Sequence, residues 1–199
     1  SKLHHTFLPE FYGEVKNKQE IIIEFINGET LLKTKNINFN EKILIIFEIG
    51  IIIQYLHSNN FIYRDLKPDN VMIDKHKTVV LIDLDRLILK EDIDKNVNNT
   101  QDFASSFVAP EIYKNNFSFE CDVYSFGKMI YYILSKNVSE SELNAIFEKH
   151  LLVLEIYKMC TNENPAKRNT IDYICSYFIV YFNAQIWPFM EKIDKNYGD

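Results

Sequence analysis

The hydrophobic pattern of this chain changes its period part-way along. Up to about residue 83 there are short β-type runs, at Phe11–Val15, Glu20–Phe25 and Thr78–Asp83. From about Phe119 onward, apolar residues recur with the spacing of amphipathic or buried helices. With 199 residues, the chain is long enough for one domain with a sizeable core. These patterns predict an α+β fold that is mostly α.

A long helix is predicted between the two parts. Asn38 followed by Glu41 forms the pattern of a capping box, and the apolar run at Ile43–Leu56 follows it. This run is too short to span a bilayer and contains Glu48, so we interpret it as a buried helix ending near His57.

Local signals predict the remaining elements. The first two β runs should form a hairpin, with a turn around Gly28 after it. The polar residues 90–101 should form a mobile loop. Residues 122–134, 139–160 and 170–182 each read as one helix.

Composition excludes several classes of protein. The formal net charge is −6 and no long basic run occurs, so the electrostatic footprint of a nucleic-acid binder is absent. The three cysteines, at wide spacing, suggest neither a disulfide framework nor a zinc cluster, and they fit a reducing compartment. Together with the absence of a signal peptide, they predict a cytoplasmic protein without a membrane span.

The stretch YRDLKPDN at Tyr63–Asn70 carries the most chemistry. Phosphoryl transfer from ATP needs a carboxylate to orient the accepting hydroxyl, oxygen ligands for Mg²⁺ and a cation for the moving phosphoryl group. Asp65, Lys67 and Asn70 supply one of each, and Asp83 can supply a second metal ligand. Each residue alone has an ordinary explanation as a loop or capping residue. The joint pattern favours the catalytic interpretation.

The stretch resembles the catalytic loop of the eukaryotic protein kinase family, of the Ser/Thr or tyrosine-kinase-like group. Five further segments resemble family motifs in the family's order. They are the hinge-like Ile21–Leu31, the metal-binding Asp83–Asp85, Val108–Glu111 at the end of the activation segment, Asp122–Gly127 of the anchoring helix, and Cys160–Arg168.

The resemblance implies a role for each matching residue. Asp65 would orient the substrate hydroxyl and accept its proton, Lys67 would steady the phosphoryl group, and Asn70 and Asp83 would hold Mg²⁺. The function implied is transfer of the ATP γ-phosphate to Ser or Thr hydroxyls of protein substrates, since Lys67 favours those acceptors over Tyr.

Further residues receive roles from the same resemblance. Glu24 and Ile26 would offer hinge backbone groups to adenine, and Met72 would form the floor beneath the ring. Asp122 would brace the catalytic loop backbone. A structural ion pair is expected between Glu111 and Arg168.

The resemblance also implies a regulatory contact. Arg64 would bind a phosphate on the activation segment, for which Thr100, Ser105 and Ser106 are nearby acceptors. One by one, these three are also ordinary loop residues, and both interpretations stay open.

The sequence departs from the family pattern in several places. No Gly-x-Gly-x-x-Gly occurs, the phosphate-gripping strand lysine is missing, and most of the small N-terminal lobe is absent from these 199 residues. Asp85 replaces a glycine, which predicts a strained left-handed residue and a stiffer segment. Ala104 stands where Ser/Thr kinases usually have Thr. The alternative function is therefore a pseudokinase or truncated fragment that binds partners without turnover.

The domain organisation follows from these matches. Residues 1–31 are expected to be a remnant β hairpin of the N-terminal lobe with the hinge, residues 32–182 the helical C-terminal lobe, and residues 183–199 a tail. ATP and a protein substrate are the expected partners, and the sequence does not fix an oligomeric state.

Overall fold

The computed structural model describes residues 3–15, 20–95 and 106–181. The predicted tail at 183–199 and the predicted hairpin turn at 16–19 lie outside these residues. Within them the chain forms β1 Phe11–Val15, β2 Glu20–Ile23, β3 Gly28–Thr30, α1 Phe39–Ser58, β4 Phe61–Ile62, β5 Val71–Asp74, β6 Val79–Leu81, β7 Ile88–Leu89, α2 Phe119–Ser135, α3 Glu140–Lys149, α4 Leu151–Cys160 and α5 Ile171–Tyr181. The α+β, mostly α prediction is confirmed.

The strands form three small antiparallel sheets. β1 pairs with β2, β5 lies between β3 and β6, and β4 pairs with β7. The β1–β2 hairpin is open to solvent, since Tyr12 and Ile21 are 61% and 59% exposed. The other two sheets hold the segments on either side of the Tyr63–Asn70 loop.

Helix α1 forms the centre of the helical part. The predicted capping box is present: Asn38 Oδ1 accepts from the Glu41 N–H, and the Glu41 carboxylate accepts from the Asn38 N–H. The helix packs against α2 and α5, and Ile46, Ile49 and Ile53 are fully buried. None of the helices in the described ranges is long and apolar enough to cross a membrane.

The predicted turn around Gly28 is wrong. Gly28 begins strand β3, where it lies opposite Asp74 of β5. A side chain at this position would collide with the Ile73 carbonyl oxygen. The glycine therefore permits a close approach of two strands, a use that its sequence neighbourhood does not distinguish from a turn.

The single helix predicted at residues 139–160 is also wrong. The structure has two helices, α3 and α4, which meet at His150 with φ −120° and ψ 61°. The His150 ring stacks on Phe39 at 4.3 Å and Nδ1 lies 2.8 Å from the Tyr181 hydroxyl. These tertiary contacts accompany the break, which helical periodicity alone does not reveal.

The polar stretch at 90–101 is described only in part. Lys90–Lys95 forms a 3₁₀ helix rather than an irregular loop, and residues 96–101 lie outside the described ranges.

Candidate active site

The loop between β4 and β5 brings three polar side chains together. Lys67 Nζ lies 2.9 Å from Asp65 Oδ2, and Asn70 Nδ2 donates to the same oxygen at 2.9 Å. A 3₁₀ turn at Pro68–Asn70 creates this arrangement, with proline at its first position, where its fixed φ suits a helical start. The turn folds Asn70 back toward Asp65, so Asn70 Nδ2 also donates to the backbone carbonyl of Asp65 at 2.9 Å.

The two oxygens of the Asp65 carboxylate have different surroundings. Oδ2 accepts from Lys67 and Asn70 and lies 3.7 Å from Arg86 Nε. No residue of the described part of the chain donates a hydrogen bond to Oδ1. Asp65 is only 7% exposed, so this single oxygen is the part of the carboxylate available to an incoming group.

Asp122 fixes the backbone of the loop from beneath. Its Oδ2 accepts from the Tyr63 N–H at 2.8 Å and lies 2.9 Å from His57 Nε2, while Oδ1 accepts from the Arg64 N–H at 2.8 Å. Arg64 has φ 70°, a left-handed conformation that costs free energy for a residue with a side chain. The fully buried carboxylate of Asp122 holds that conformation in place.

Tyr63 links the loop to the segment that contains Asp83. The Tyr63 hydroxyl donates to the Ile82 carbonyl at 2.6 Å, and the Ile82 N–H donates to the Asn70 carbonyl at 2.9 Å. Burial, together with the nearby Asp65 and Asp83 carboxylates, raises the pKa of Tyr63 well above its usual value. The hydroxyl therefore stays protonated and remains a donor.

Asp83 follows this link directly and is exposed. Its backbone has φ 59°, whereas Asp85 does not occupy the left-handed region. The expectation that Asp85 is strained is therefore wrong: the left-handed residue is Asp83, two positions earlier. Aspartate is one of the few residue types that visit this conformation readily.

The oxygen donors suit Mg²⁺. Asn70 donates from Nδ2 to Asp65, and its backbone carbonyl accepts from the N–H of Ile82, the residue before the exposed Asp83. In the described ranges no group of three His, Cys, Asp or Glu side chains converges to hold a metal. Mg²⁺ does not require one, because it commonly takes one or two protein oxygens together with water and substrate phosphates.

The predicted adenine contacts lie on two different elements. Glu24, exposed after β2, donates its N–H to the Glu10 carbonyl at 2.8 Å and also accepts from the Glu10 N–H at 3.2 Å. Ile26 is half-buried. Met72 lies in β5 opposite Thr30 of β3. The hinge-like segment, which contains β3, is therefore paired with the strand that follows the Tyr63–Asn70 loop.

A cavity of about 410 Å³ lies between the hairpin and the Asp83 segment. Ile21 and Ile23 of β2 line one side, and Asp83 and Leu84 line the other. The hairpin and the helical lobe thus enclose an apolar space beside the exposed Asp83 carboxylate.

Of the residues predicted for regulation, only some can be located. Thr100, Ser105 and Ala104 lie outside the described ranges, and Ser106 is exposed. Arg64 donates from Nε to the Arg86 carbonyl at 2.6 Å, and its guanidinium lies 5.2 Å from the Phe117 ring centre. Burial lowers the pKa of Arg64.

The structure adds two contacts that sequence reasoning missed. One is the approach of Arg86 to Asp65, and the other is the bond from Tyr63 to Ile82. The position of Arg86, directly after the Asp83–Asp85 segment, was the available signal in the sequence for its contact with Asp65. Nothing in the sequence pattern indicates that the Tyr63 hydroxyl faces the Asp83 segment.

The helical lobe, with a loop that joins Asp65, Lys67 and Asn70, is the arrangement that the catalytic-loop motif of protein kinases predicts, and comparison with known families agrees. The family described as protein kinase domain matches residues 1–186. The chain belongs to the protein kinase family, as the sequence resemblance predicted.

Three curated relatives illustrate the match. A probable serine/threonine-protein kinase of Dictyostelium discoideum is 28% identical over 193 residues, covering 92% of this chain and 14% of that protein. Calcium-dependent protein kinase 6 of Plasmodium berghei is 32% identical over 133 residues, covering 63% and 9% respectively. cAMP-dependent protein kinase type 3 of Saccharomyces cerevisiae is 28% identical over 142 residues, covering 68% and 35%. The chain thus spans between 9% and 35% of the length of these relatives.

Proposed function

We propose that this chain transfers the γ-phosphate of ATP to Ser or Thr hydroxyls of protein substrates. The observation that carries the proposal is the environment of Asp65, whose Oδ2 is held by Lys67 and Asn70 while Oδ1 takes no bond from a described residue. A carboxylate held in this way can orient a substrate hydroxyl and accept its proton as the oxygen bonds to phosphorus and ADP leaves.

Lys67 has a second role in this proposal. Its ammonium lies on the carboxylate in the structure and is 30% exposed, so it can turn toward a phosphoryl group that approaches the hydroxyl. A cation next to the negative charge that develops on the phosphoryl group stabilises the transition state most strongly where water is excluded. Asn70 Oδ1 and the Asp83 carboxylate would hold Mg²⁺, which offsets phosphate charge when it is bound.

The adenine ring would lie between the hinge-like segment and β5. Since the Glu24 N–H already donates to Glu10, Glu24 would contribute its carbonyl and Ile26 its N–H. Met72 would pack beneath the ring. These assignments rest on the family resemblance and on the pairing of β3 with β5.

The substrate class and the domain limits belong to the same proposal. Lys67 in RDLKPDN favours Ser and Thr acceptors, and one of the three relatives above is named as a probable serine/threonine-protein kinase. Residues 1–31 would form the hinge with part of an N-terminal lobe, residues 32–182 the helical lobe and residues 183–199 a tail. A cytoplasmic location is proposed because all three cysteines are free thiols.

The test is phosphate transfer from labelled ATP with Mg²⁺ to a mixed set of Ser, Thr and Tyr peptides. Wild-type protein is compared with Asp65→Asn and with the matched control Asp69→Asn, because Asp69 is exposed in the same loop. We expect Asp65→Asn to lower the transfer rate at least about 100-fold. Asp69→Asn should transfer phosphate at the wild-type rate. Equal rates for wild type and Asp65→Asn contradict the proposal, and label on Tyr peptides alone contradicts the substrate class.

A further inference from the structure

Arg86 is attached to two consecutive residues of the catalytic loop. Arg64 Nε donates to the Arg86 carbonyl at 2.6 Å, and Arg86 Nε lies 3.7 Å from Asp65 Oδ2. The loop therefore holds both the backbone and the side chain of Arg86. These contacts join the segment after Asp83, the proposed Mg²⁺ ligand, to the carboxylate of Asp65, which is proposed to orient the acceptor hydroxyl.

The side on which Arg86 approaches Asp65 limits what it can do. An arginine that blocked the site would pair with Oδ1, the oxygen that no described residue occupies. Arg86 instead lies near Oδ2, together with Lys67 and Asn70. Its contact leaves the acceptor oxygen open and adds a third group to the side that fixes the orientation of the carboxylate.

Lys67 serves two groups in the proposed reaction. When its ammonium, which lies 2.9 Å from Asp65 Oδ2, also contacts the phosphoryl group, its charge is shared between the two and less of it offsets the carboxylate. The remaining neighbours of Oδ2 among the described residues are the neutral Asn70 amide and the Arg86 guanidinium. A carboxylate that is 7% exposed and left without a countercharge is costly.

We propose that Arg86 is the positioning residue for Asp65. Its guanidinium stays as the countercharge on Oδ2 while Lys67 serves the phosphoryl group, and Oδ1 keeps its aim at the acceptor hydroxyl. The inference rests on the proposed function, because it assigns Arg86 a part in the same transfer step.

The experiment compares Arg86→Met, which removes the charge, with Arg86→Lys, which keeps it. Lys90→Met is the matched control, because it removes one positive charge from the same segment, where Lys90 lies over the Phe119 ring at 4.7 Å. We expect Arg86→Met to lower kcat by about 10- to 100-fold, with the KM for ATP unchanged within about twofold. Arg86→Lys should recover most of that loss, and Lys90→Met should behave as wild type.

A double-mutant cycle separates positioning from a general structural role. In an Asp65→Asn background, Arg86→Met should cause no further loss of rate, because both changes act through the same carboxylate. The same four proteins are compared in thermal denaturation, where the two substitutions should also be non-additive. Additive effects in both measurements overturn the inference, as does a rise in kcat for Arg86→Met.

The two proposals fail in different ways. Transfer that depends on Asp65 but is unchanged by Arg86→Met overturns only the positioning role of Arg86. Transfer by wild type that equals that of Asp65→Asn overturns the proposed function, and the positioning role with it.

Discussion

Arg168 and Glu111 form a bidentate ion pair across 57 positions of sequence. Arg168 Nη2 donates to Glu111 Oε2 at 3.0 Å and Nη1 donates to Oε1 at 2.5 Å. The guanidinium also donates to the carbonyls of Glu120, Asn162 and Glu163. The pair therefore joins the end of the activation segment to the start of α2 and to the loop before α5, as the sequence resemblance led us to expect.

The two members of this pair should not be equivalent in stability. Among the described residues, Arg168→Met leaves the buried Glu111 carboxylate with the Cys121 thiol alone, at 3.4 Å. We expect it to lower the free energy of unfolding by about 3–5 kcal/mol. Glu111→Gln should cost less, because Arg168 keeps its three carbonyl acceptors. Urea unfolding measures the loss of stability in both variants. Lys77→Met is the control, because Lys77 is exposed and its 4.0 Å pair with Glu41 should contribute under about 1 kcal/mol. Equal losses for Arg168→Met and Glu111→Gln would show that the carbonyl bonds are unimportant.

Asp122→Asn should loosen the catalytic loop. The amide keeps the shape of the side chain, but its nitrogen cannot accept from the Tyr63 or Arg64 N–H. One buried N–H then loses its acceptor, which costs about 1–3 kcal/mol. Urea unfolding checks the loss, and Asp172→Asn, at an exposed residue bonded to Gln54, should stay within about 0.5 kcal/mol of wild type. An Asp122→Asn protein as stable as wild type would mean that the loop does not need this anchor.

These residues show which parts of the site were predictable. Asp65, Lys67 and Asn70 are close in sequence, so their convergence needs only one turn, and Pro68 supplies its start. The Glu111–Arg168 pair is distant in sequence and came only from the family resemblance. Arg86 was not predicted, because its approach to Asp65 depends on the path of the backbone after Asp83, where the left-handed residue is Asp83 rather than Asp85.

The fold shows the same division between local and tertiary causes. Helix α1 begins where Asn38 and Glu41 predict, because a capping box is a local interaction. The break at His150 depends on contacts with Phe39 and Tyr181. Strand β3 depends on its partner β5, which no feature of residues 26–30 specifies. The capping signal was therefore reliable, and the errors at Gly28 and His150 fell where distant residues decide the conformation.

Glu48 should make stability depend on pH. Burial raises the pKa of this carboxyl in α1, although the bond from the Val79 N–H partly opposes the shift. Below the unfolded-state pKa both states hold the proton and the full stability is present. As the pH rises toward the raised folded-state pKa, the unfolded state releases its proton first, so the free energy of unfolding falls.

Glu48→Gln removes this dependence. The variant should gain stability relative to wild type between pH 4 and pH 7, as measured by urea unfolding at both values. Glu148→Gln, at an exposed position of α3, controls for the loss of one negative charge. A stability difference between Glu48→Gln and wild type that is the same at both pH values would contradict this reading of Glu48.

Two glycines in the helices should respond differently to alanine. A Cβ on Gly127 of α2 would lie 2.6 Å from Cys160 Cβ and 2.6 Å from Thr161 Cγ2, whereas a Cβ on Gly50 of α1 would lie 3.2 Å from Cys175 Sγ. Both substitutions gain helix propensity, worth about 1 kcal/mol. Only Gly127→Ala must push α2 away from the end of α4, and overpacking of this kind costs about 1–3 kcal/mol. We expect thermal denaturation to show a lower Tm for Gly127→Ala and little change for Gly50→Ala. The reverse order would mean that the end of α4 moves more easily than the core between α1 and α5.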